Sequence, residues 1–332
     1  MPAESRSVNL IDLESIDLIN SPSVKIYQES RLLNSYPEWS QIEEWLREMG
    51  IKKFVTLHQI GKTHEGRNIL LLQIGENNGD KPEIFIDGAL HAREWISVVT
   101  VLNIADRLIR AYEAKDDDYY ELSHNIVWYV IPVVNVDGYV YSHTTERLWR
   151  KNRRLPPHRS NCYGVDLNRN WNISWSGYGS ENYACSNIYH GPEPNSEPEV
   201  KAIISYLEKR KAHLKAYLSF HSYGQLIIYP YSYDIKKEPR NIEQLKKVSK
   251  NLSKETDGRY ANGKASETLC TSTDWAAHHL KIPYTFTIEL RDTGFYGFLL
   301  PSRYITPTVQ ESLKIIKVLS RTIIDENNII SE

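Results

Sequence analysis

His91 and Glu94 are two side chains that can bind metal, and they lie only three positions apart in the segment Ala89-Leu-His-Ala-Arg-Glu-Trp95. Zinc accepts imidazole nitrogen and carboxylate oxygen, and a catalytic zinc site uses three protein ligands and leaves one position open for water. The pair alone is weak support for a metal site, because a polar pair at a helix start arises often by chance among 11 His and 42 acidic residues. A zinc hydrolase is therefore a hypothesis that requires a third ligand.

The residues around His91 and Glu94 predict that the pair lies where a strand becomes a helix. Ile84-Phe-Ile86 is a short apolar run typical of a buried strand, and residues 95–111 carry apolar side chains at helical spacing. Side chains at such a junction in an open α/β sheet project into a crevice instead of a packed core. The predicted position of the pair is therefore one where ligands commonly bind.

His221 is the candidate for the third ligand, because it follows the apolar run 216–220, which is another predicted strand. Taken alone, this residue is better explained as a hydrogen-bonded histidine in the core. Strand ends that are distant in sequence can meet at one crevice. Together with His91 and Glu94, His221 would complete a His₂Glu ligand set.

Glu289 lies near the end of a further predicted strand, the alternating segment 283–290. An unpaired carboxylate in an apolar strand is costly. Two interpretations are open: Glu289 pairs with Arg291 or another nearby cation, or it acts as a base beside a metal site.

The stretch 135–195 is rich in Asn, Gly, Arg, Trp and Tyr, and a region of this length in a compact domain usually has a functional role. Arg150, Asn168 and Arg169 place two guanidinium groups and an amide in it. A guanidinium binds a carboxylate through two parallel hydrogen bonds, so these side chains are candidates for binding an anionic group. The alternative, a solvated charge on the surface, fits most arginines in proteins.

Strands and helices alternate along the chain, without repeats and without a Pro- or Gly-rich linker that would divide it. Such alternation is typical of a parallel or mixed sheet. We therefore predict an α/β fold with a single domain, in which a mixed parallel and antiparallel twisted sheet is flanked by helices on both faces. This domain would cover residues 39–328, and residues 1–38 would form a separate N-terminal segment.

Composition and charge argue against several partners. The 40 basic and 42 acidic residues give a formal charge of −2, which provides no field for holding nucleic acid or an anionic membrane. No apolar stretch approaches the length of a membrane span, and the chain begins without a visible signal peptide. The three Cys, at 162, 185 and 270, are too few for a fold that depends on disulfides, although a bond between Cys162 and Cys185 would pin the loop between them.

Several longer segments resemble those of zinc metallocarboxypeptidases of the carboxypeptidase A/B type, in the order found in that family and over about residues 36–325. The segments are Gly88-Ala-Leu-His-Ala-Arg-Glu-Trp95, Asn135-Val-Asp-Gly-Tyr139, Leu148-Trp-Arg-Lys151, Gly164-Val-Asp-Leu-Asn-Arg-Asn-Trp171, Tyr189-His-Gly191, Ser219-Phe-His-Ser-Tyr223 and Glu289-Leu-Arg-Asp-Thr-Gly294.

The resemblance implies a hydrolase that removes the C-terminal residue of peptides and proteins with one zinc ion. It implies His91, Glu94 and His221 as the zinc ligands. Glu289 would be the general base for the attacking water, and Arg150 would polarise the scissile carbonyl and stabilise the oxyanion.

The resemblance also implies how the substrate is held. Asn168 and Arg169 would bind the free C-terminal carboxylate, which explains removal of the last residue instead of internal cleavage. Asp166 would orient a zinc-bound histidine, and Arg93 and Arg147 would contribute to outer subsites.

Three further features follow from the resemblance. Cys162 and Cys185 would form the disulfide common in the family and leave Cys270 unpaired. The protein would be secreted and extracellular. Its partners would be peptide or protein C-termini, together with an inhibitory pro-segment or a protein inhibitor.

The chain departs from the family pattern in the segment 264–273, which lacks the tyrosine that folds over the substrate in relatives. The floor of the specificity pocket aligns with Thr273, and an uncharged floor favours apolar or aromatic C-terminal residues. The segment 1–38 is also shorter than the pro-domain of relatives, so it is either the remnant of a pro-segment or the start of a truncated form.

Two other functions are compatible with the motifs. The missing tyrosine would fit a catalytically impaired protein that binds peptides or a protein partner, but retention of the ligands, Glu289 and Arg150 argues against it. A purely structural metal site is disfavoured because a His₂Glu set beside an acidic residue leaves an open coordination position.

Overall fold

A mixed β-sheet forms the centre of the protein. The computed structural model describes residues 32–77, 79–115, 117–156, 161–234, 236–265 and 271–331. Eight strands within these residues belong to one sheet. They are β1 (Val55–Lys62), β2 (Asn68–Ile74), β3 (Glu83–Gly88), β4 (Val127–Ile131), β5 (Leu214–Ser222), β6 (Leu226–Tyr229), β7 (Ala261–Lys264) and β8 (Tyr284–Leu290).

The strand order is β1-β2-β4-β3-β5-β8-β6-β7. The four central strands, β4, β3, β5 and β8, run parallel to one another, whereas β1 with β2, β2 with β4, and β6 with β8 pair antiparallel. Every residue of β3 is buried, as expected for a strand whose two faces are both covered. The prediction of a mixed sheet is confirmed.

Helices cover both faces of the sheet. Alternate residues of β3 point to opposite sides, so that Ile84 and Ile86 belong to one apolar cluster and Phe85 to another. None of the helices in the described residues is both long and apolar enough to span a membrane. The helices are α1 (Trp39–Met49), α2 (Trp95–Glu113), α3 (Tyr120–Asn125), α4 (Val136–Thr144), α5 (Pro198–Glu208), α6 (Ile242–Glu255), α7 (Ser272–Trp275) and α8 (Ile305–Ser331).

The first cluster packs α1, α2, α6 and α8 against one face of the sheet, and the second packs α5 and the segment around α7 against the other. The prediction of a single α/β domain with helices on both faces is therefore confirmed. The short edge strands β6 and β7 were not predicted, because four residues are too few for a clear alternating pattern.

The N-terminal part that the structure describes packs onto this domain. Leu33 is buried in the first cluster, and the Tyr36 hydroxyl donates a hydrogen bond to the carbonyl oxygen of Leu300 (2.7 Å). Residues 1–31 lie outside the described residues, so the proposed segment 1–38 remains a prediction for most of its length.

A sharp turn connects β3 to α2 and carries His91 and Glu94. Ala89 adopts a left-handed φ of 51°, and its N–H donates to Ser97 Oγ (3.1 Å). Ser97 Oγ in turn donates to the Glu94 carbonyl oxygen (2.7 Å). One buried hydroxyl therefore ties the strand end to the first turn of the helix and fixes the backbone that bears both side chains.

We expect Ser97→Ala to lower the free energy of unfolding by about 1–3 kcal/mol, because it leaves the buried N–H of Ala89 without an acceptor. The measurement is urea denaturation of the metal-free protein. Ser205→Ala is the matched control, since Ser205 is exposed on α5, and it should change stability by less than about 0.5 kcal/mol. Equal effects of the two substitutions would contradict the proposed role of Ser97.

Candidate metal centre and substrate cavity

His91, Glu94 and His221 meet where the parallel strands β3 and β5 end. Glu94 lies between the two imidazoles, with Oε1 2.8 Å from His91 Nδ1 and Oε2 2.9 Å from His221 Nδ1. The two Nδ1 atoms are 3.2 Å apart, and all three side chains are buried. The structure thus brings together the three predicted metal ligands.

The tautomer of His91 follows from the partner of its outer nitrogen. Its Nε2 lies 3.1 Å from Asp166 Oδ1. A carboxylate oxygen accepts hydrogen bonds, so in the neutral imidazole that can bind a metal Nε2 carries the hydrogen and Nδ1 keeps the lone pair. Asp166 therefore holds His91 in the form that ligates a metal through Nδ1.

The tautomer of His221 is fixed by a relay through Ser219. The Ser219 hydroxyl donates to Asp87 Oδ1 (2.7 Å), and its oxygen lies 3.1 Å from His221 Nε2. Because the hydroxyl hydrogen is already used, the serine oxygen accepts from His221 Nε2–H. In neutral His221, Nδ1 therefore keeps a lone pair on the side of Glu94.

Two imidazole lone pairs and one carboxylate thus converge within 4.8 Å of one another. Such an arrangement is repulsive unless a cation lies between the donors. Two nitrogens and one oxygen form the ligand set that suits Zn²⁺ and leaves a coordination position open. The residues present therefore fit a zinc ion.

Without a metal, a proton takes the place of the cation. Burial lowers the pKa of His221, but the charge of Glu94 outweighs burial and raises that pKa to about 9. Burial raises the pKa of Glu94, but the two imidazoles outweigh it and leave that pKa far below its usual range. Metal binding would displace the proton, as is general for histidine ligands.

Glu289 lies beside the metal ligands, because β8 pairs with β5 in a register that places it opposite His221. Burial raises the pKa of Glu289 to about 7, while the charge of His221 acts in the opposite direction. Arg291 instead donates through Nε to Glu311 Oε2 (2.9 Å). Of the two interpretations of Glu289, the structure thus rules out pairing with Arg291.

Arg150 is held by the same carboxylate that orients His91. Its Nε and Nη2 donate to Asp166 Oδ2 at 3.0 and 2.8 Å. Asp166 Oδ1 accepts the backbone N–H of Asn168 (2.9 Å) in addition to its contact with His91. Burial would raise the pKa of Asp166, but Arg150 and His91 hold it well below its usual range.

A cavity of about 240 Å³ lies in front of these groups. A larger cavity of about 600 Å³ beside α6 and the start of β8 contains none of them, so size alone does not identify the site. The smaller cavity is lined by His91, Glu94, Arg150, Asn168, Arg169, Ser222, Tyr223, Ile228, Ser232, Ala265, Thr271, Thr287, Glu289 and Phe298.

Thr273, the residue predicted for the floor of the specificity pocket, is buried next to the cavity wall. The wall of the cavity carries Thr271 and Thr287, and Thr273 is not among the described residues that line it. The Thr273 hydroxyl is buried and lies 3.1 Å from Thr271 Oγ1 and 2.9 Å from Thr287 Oγ1. Thr273 therefore supports the wall through its neighbours.

Arg93 and Arg147 are not among the described residues that line the cavity, but Arg93 contacts one that does, Phe298. The guanidinium carbon of Arg93 is 4.1 Å from the centre of the Phe298 ring. The guanidinium of Arg147 stacks 3.6 Å from the Trp95 ring and donates to the Arg93 carbonyl oxygen (2.8 Å). A role at outer subsites remains a prediction for both.

Four residues that contribute to the site were given no role from the sequence, although two of them, Ser219 and Tyr223, lie within one of the segments that resemble the family. Asp87 and Ser219 orient His221, whereas Tyr223 and Phe298 line the cavity and contact each other with ring centres 4.9 Å apart. Asp87 had a signal, namely a carboxylate inside an apolar strand. Phe298 follows β8 in a 3₁₀ helix of three residues, Gly297–Leu299, which is too short for a spacing pattern.

The loop that departs from the family pattern is described only in part. Cys270 and the rest of 266–270 lie outside the described residues, so the prediction that Cys270 is unpaired remains untested. The structure resumes at Thr271, whose hydroxyl caps α7 by accepting from the Asp274 N–H (3.2 Å). Cys162 and Cys185 are joined by a disulfide, as the resemblance implied.

The fold and site together define a metal-dependent hydrolase of the α/β class, with a His₂Glu centre, an acidic residue beside it and arginines in the same cavity. Comparison with known proteins is consistent with this class. Residues 42–315 match the zinc carboxypeptidase family model.

Individual relatives cover most of the chain. Carboxypeptidase B of Rattus norvegicus is 40% identical over 295 residues, which are 86% of this chain and 70% of the relative. Carboxypeptidase B of Astacus astacus is 37% identical over 300 residues, which are 88% of this chain and 98% of the relative. A structure of bovine thrombin-activatable fibrinolysis inhibitor in complex with tick carboxypeptidase inhibitor has a TM-score of 0.81, is 35% identical, and covers 89% of this chain and 100% of that one.

The chain belongs to the zinc carboxypeptidase family, of the A/B type. It is a metallopeptidase that hydrolyses the C-terminal bond of peptides. Membership implies zinc, and the structure contains a His-Glu-His cluster that fits it.

We expect the stability of the metal-free protein to fall as the pH rises from 6.5 toward 9. The folded-state pKa of His221 lies at about 9, above its ordinary value of 6.5. The stabilisation from its pair with Glu94 is therefore complete below pH 6.5 and is lost progressively as the pH rises to about 9. Urea denaturation in the presence of a chelator measures this change. Metal-free His221→Asn should lose less stability across the same window, and an identical slope in both proteins would contradict the assignment.

Proposed function

We propose that this protein is a one-zinc exopeptidase that removes uncharged, preferentially apolar or aromatic, C-terminal residues. A single observation carries the proposal: His91 and Glu94 line one cavity together with Glu289, Arg150, Asn168 and Arg169, and His221 contacts Glu94. The groups needed to cleave a peptide bond and to recognise a terminal carboxylate therefore lie within reach of one bound substrate.

The residues of the chain divide the chemistry among them. Zinc bound by His91, Glu94 and His221 would supply Lewis-acid chemistry and lower the pKa of water. Glu289 takes the proton of the attacking water and returns it to the leaving amine. Burial raises the pKa of Glu289 to about 7 in the metal-free protein, and the charge of a bound zinc ion would lower that pKa.

Arg150 stabilises the oxyanion that develops on the scissile carbonyl. The two hydrogen bonds to Asp166 Oδ2 fix its orientation before substrate binds, and a fixed donor needs little reorganisation as charge develops.

Asn168 and Arg169 bind the terminal carboxylate and so restrict cleavage to the last peptide bond. Arg169 is anchored by Nε to the Gly179 carbonyl oxygen (2.8 Å), and Asn168 Oδ1 accepts the Ser272 N–H (3.0 Å). These bonds hold both side chains in fixed positions on the wall of the cavity.

Uncharged side chains in the cavity support the preference for uncharged residues. Ile228, Ser232, Thr271 and Thr287 line the same cavity as the metal ligands His91 and Glu94. Burying a charged terminal side chain among them without a partner would be costly. The buried Asp274 offers no partner, because it accepts the N–H groups of Ser232 and Tyr233, and burial raises its pKa to about 7.

We further propose an extracellular location and control by a protein inhibitor or an inhibitory pro-segment. The disulfide supports an oxidising compartment. The complex of the bovine relative with tick carboxypeptidase inhibitor supports an inhibitor as partner. The catalytically impaired alternative is not favoured, since Arg150 and Glu289 line the same cavity as the metal ligands His91 and Glu94.

We expect zinc-loaded protein to release Phe from a blocked dipeptide at least about tenfold faster, in kcat/KM, than Lys or Glu from the matched dipeptides. The reason is that Ile228, Ser232, Thr271 and Thr287 offer no counter-charge to a terminal Lys or Glu side chain. A difference of about 1.4 kcal/mol in transition-state binding already corresponds to a tenfold difference in rate. Release of the terminal amino acid, followed by chromatography, is the measurement. Faster release of Lys or Glu would refute the specificity while leaving the peptidase activity intact.

The control for this assay is Glu289→Gln, which should lower kcat by about 10²–10⁴ because general-base catalysis is lost. Metal analysis of the variant should still find zinc, since Glu289 is not a ligand. No release of Phe by zinc-loaded wild type would instead favour the impaired protein.

We expect Arg169→Ala to reduce kcat/KM for substrates with a free C-terminal carboxylate by about 10- to 150-fold, the equivalent of a lost charged hydrogen bond of about 1.5–3 kcal/mol. The same peptide with a C-terminal amide provides the comparison. The wild type should discriminate strongly between the two substrates and the variant weakly. A variant that retains the full discrimination would show that Arg169 does not bind the carboxylate.

A further inference from the structure

We propose that His64, Glu197 and Glu199 form a second site for a divalent transition-metal cation such as Zn²⁺, separate from the catalytic centre. One ligand atom of each residue lies within 4.8 Å of the others. Imidazole nitrogen and carboxylate oxygen are suitable donors for zinc.

The three side chains come from two distant parts of the fold. His64 lies in the turn between β1 and β2, and its Nε2 is 2.8 Å from Glu197 Oε2. Glu197 precedes α5 and Glu199 lies in its first turn. Both glutamates are buried, whereas the side chain of His64 is 25% exposed, so a cation can enter from solvent along the imidazole.

The two glutamates differ in how well they are satisfied. Glu197 Oε1 accepts from Ser196 Oγ (2.6 Å) and from Arg154 Nη1 (3.0 Å), and its Oε2 accepts from Asn152 Nδ2 (2.7 Å). Glu199 Oε2 accepts from the same amide nitrogen (3.1 Å).

The second oxygen of Glu199 points to a missing ligand. Glu199 Oε1 is fully buried and has no hydrogen-bond partner in the part of the chain that the structure describes. A buried carboxylate oxygen without a partner is costly. Arg154 can neutralise only one of the two carboxylates, so the cluster has room for positive charge.

A proton is the competitor of the metal at this site. Burial lowers the pKa of His64, but the hydrogen bond and charge of Glu197 outweigh it and raise that pKa. Burial, together with the charge of Glu197, raises the pKa of Glu199 to about 7. A single cation would satisfy both glutamates and the imidazole together, which a proton on either group cannot do.

Zinc titration of the zinc-loaded Glu289→Gln protein tests the proposal. The Glu289→Gln variant is used because the carboxylate of Glu289, which lies beside the catalytic centre, could itself bind added zinc. Calorimetry at neutral pH should detect one further zinc ion per chain, and the thermal midpoint should rise as this ion binds.

His64→Ala and Glu199→Gln, each in the same background, should weaken the added binding at least tenfold and abolish the thermal shift. His213→Ala is the matched control, because it removes an exposed imidazole outside the cluster, and it should behave like the parent. Circular dichroism verifies folding, and Glu199→Gln decides the matter if His64→Ala is misfolded.

Absence of further binding up to millimolar zinc would overturn the second site, as would equal binding by the parent and both cluster variants. None of these outcomes bears on the catalytic proposal, which is measured by release of Phe.

Discussion

The carboxylate of Asp166 is the interaction on which the candidate site depends. One oxygen fixes the tautomer of His91, and the other holds Arg150 by two hydrogen bonds. Asp166 is fully buried, and a buried carboxylate is tolerated only when its partners compensate its lost hydration. The same electrostatic balance thus aligns a candidate metal ligand and orients the Arg150 guanidinium that lines the cavity. Neither group can move without leaving a buried charge unpaired.

The parallel strands explain why residues so distant in sequence meet. β3, β5 and β8 are adjacent and end at the same edge of the sheet, and the register between β5 and β8 sets His221 beside Glu289. A shift of this register by one residue would turn one of the two side chains to the opposite face. The apolar clusters on both faces fix the register, so core packing determines the geometry of the site.

Much of this arrangement could be predicted because it depends on local patterns. Apolar runs identified the central strands, and polar residues at their ends identified His91, His221 and Glu289. Contacts across the fold could not be predicted in the same way. The relay from Asp87 to His221 requires knowledge of which strands are neighbours, and Phe298 reaches the cavity from a 3₁₀ helix too short to show periodicity. Thr273 was placed at the pocket floor by alignment, whereas its burial behind Thr271 depends on the local path of the chain.

Asn152 joins the two chain segments that carry Arg150 and Asp166. The Asn152 backbone N–H donates to the Val165 carbonyl (3.0 Å), and Asn152 Oδ1 accepts from Val165 N–H (2.8 Å). A Cβ at Gly164 would lie 2.3 Å from the Asn152 carbonyl oxygen, so only glycine permits this approach. Because Asn152 Nδ2 also binds the two buried glutamates near α5, charge in that cluster acts on the chain segments flanking the Arg150–Asp166 pair. The positions of the segments that carry Arg150 and Asp166 therefore depend on a polar network outside the cavity.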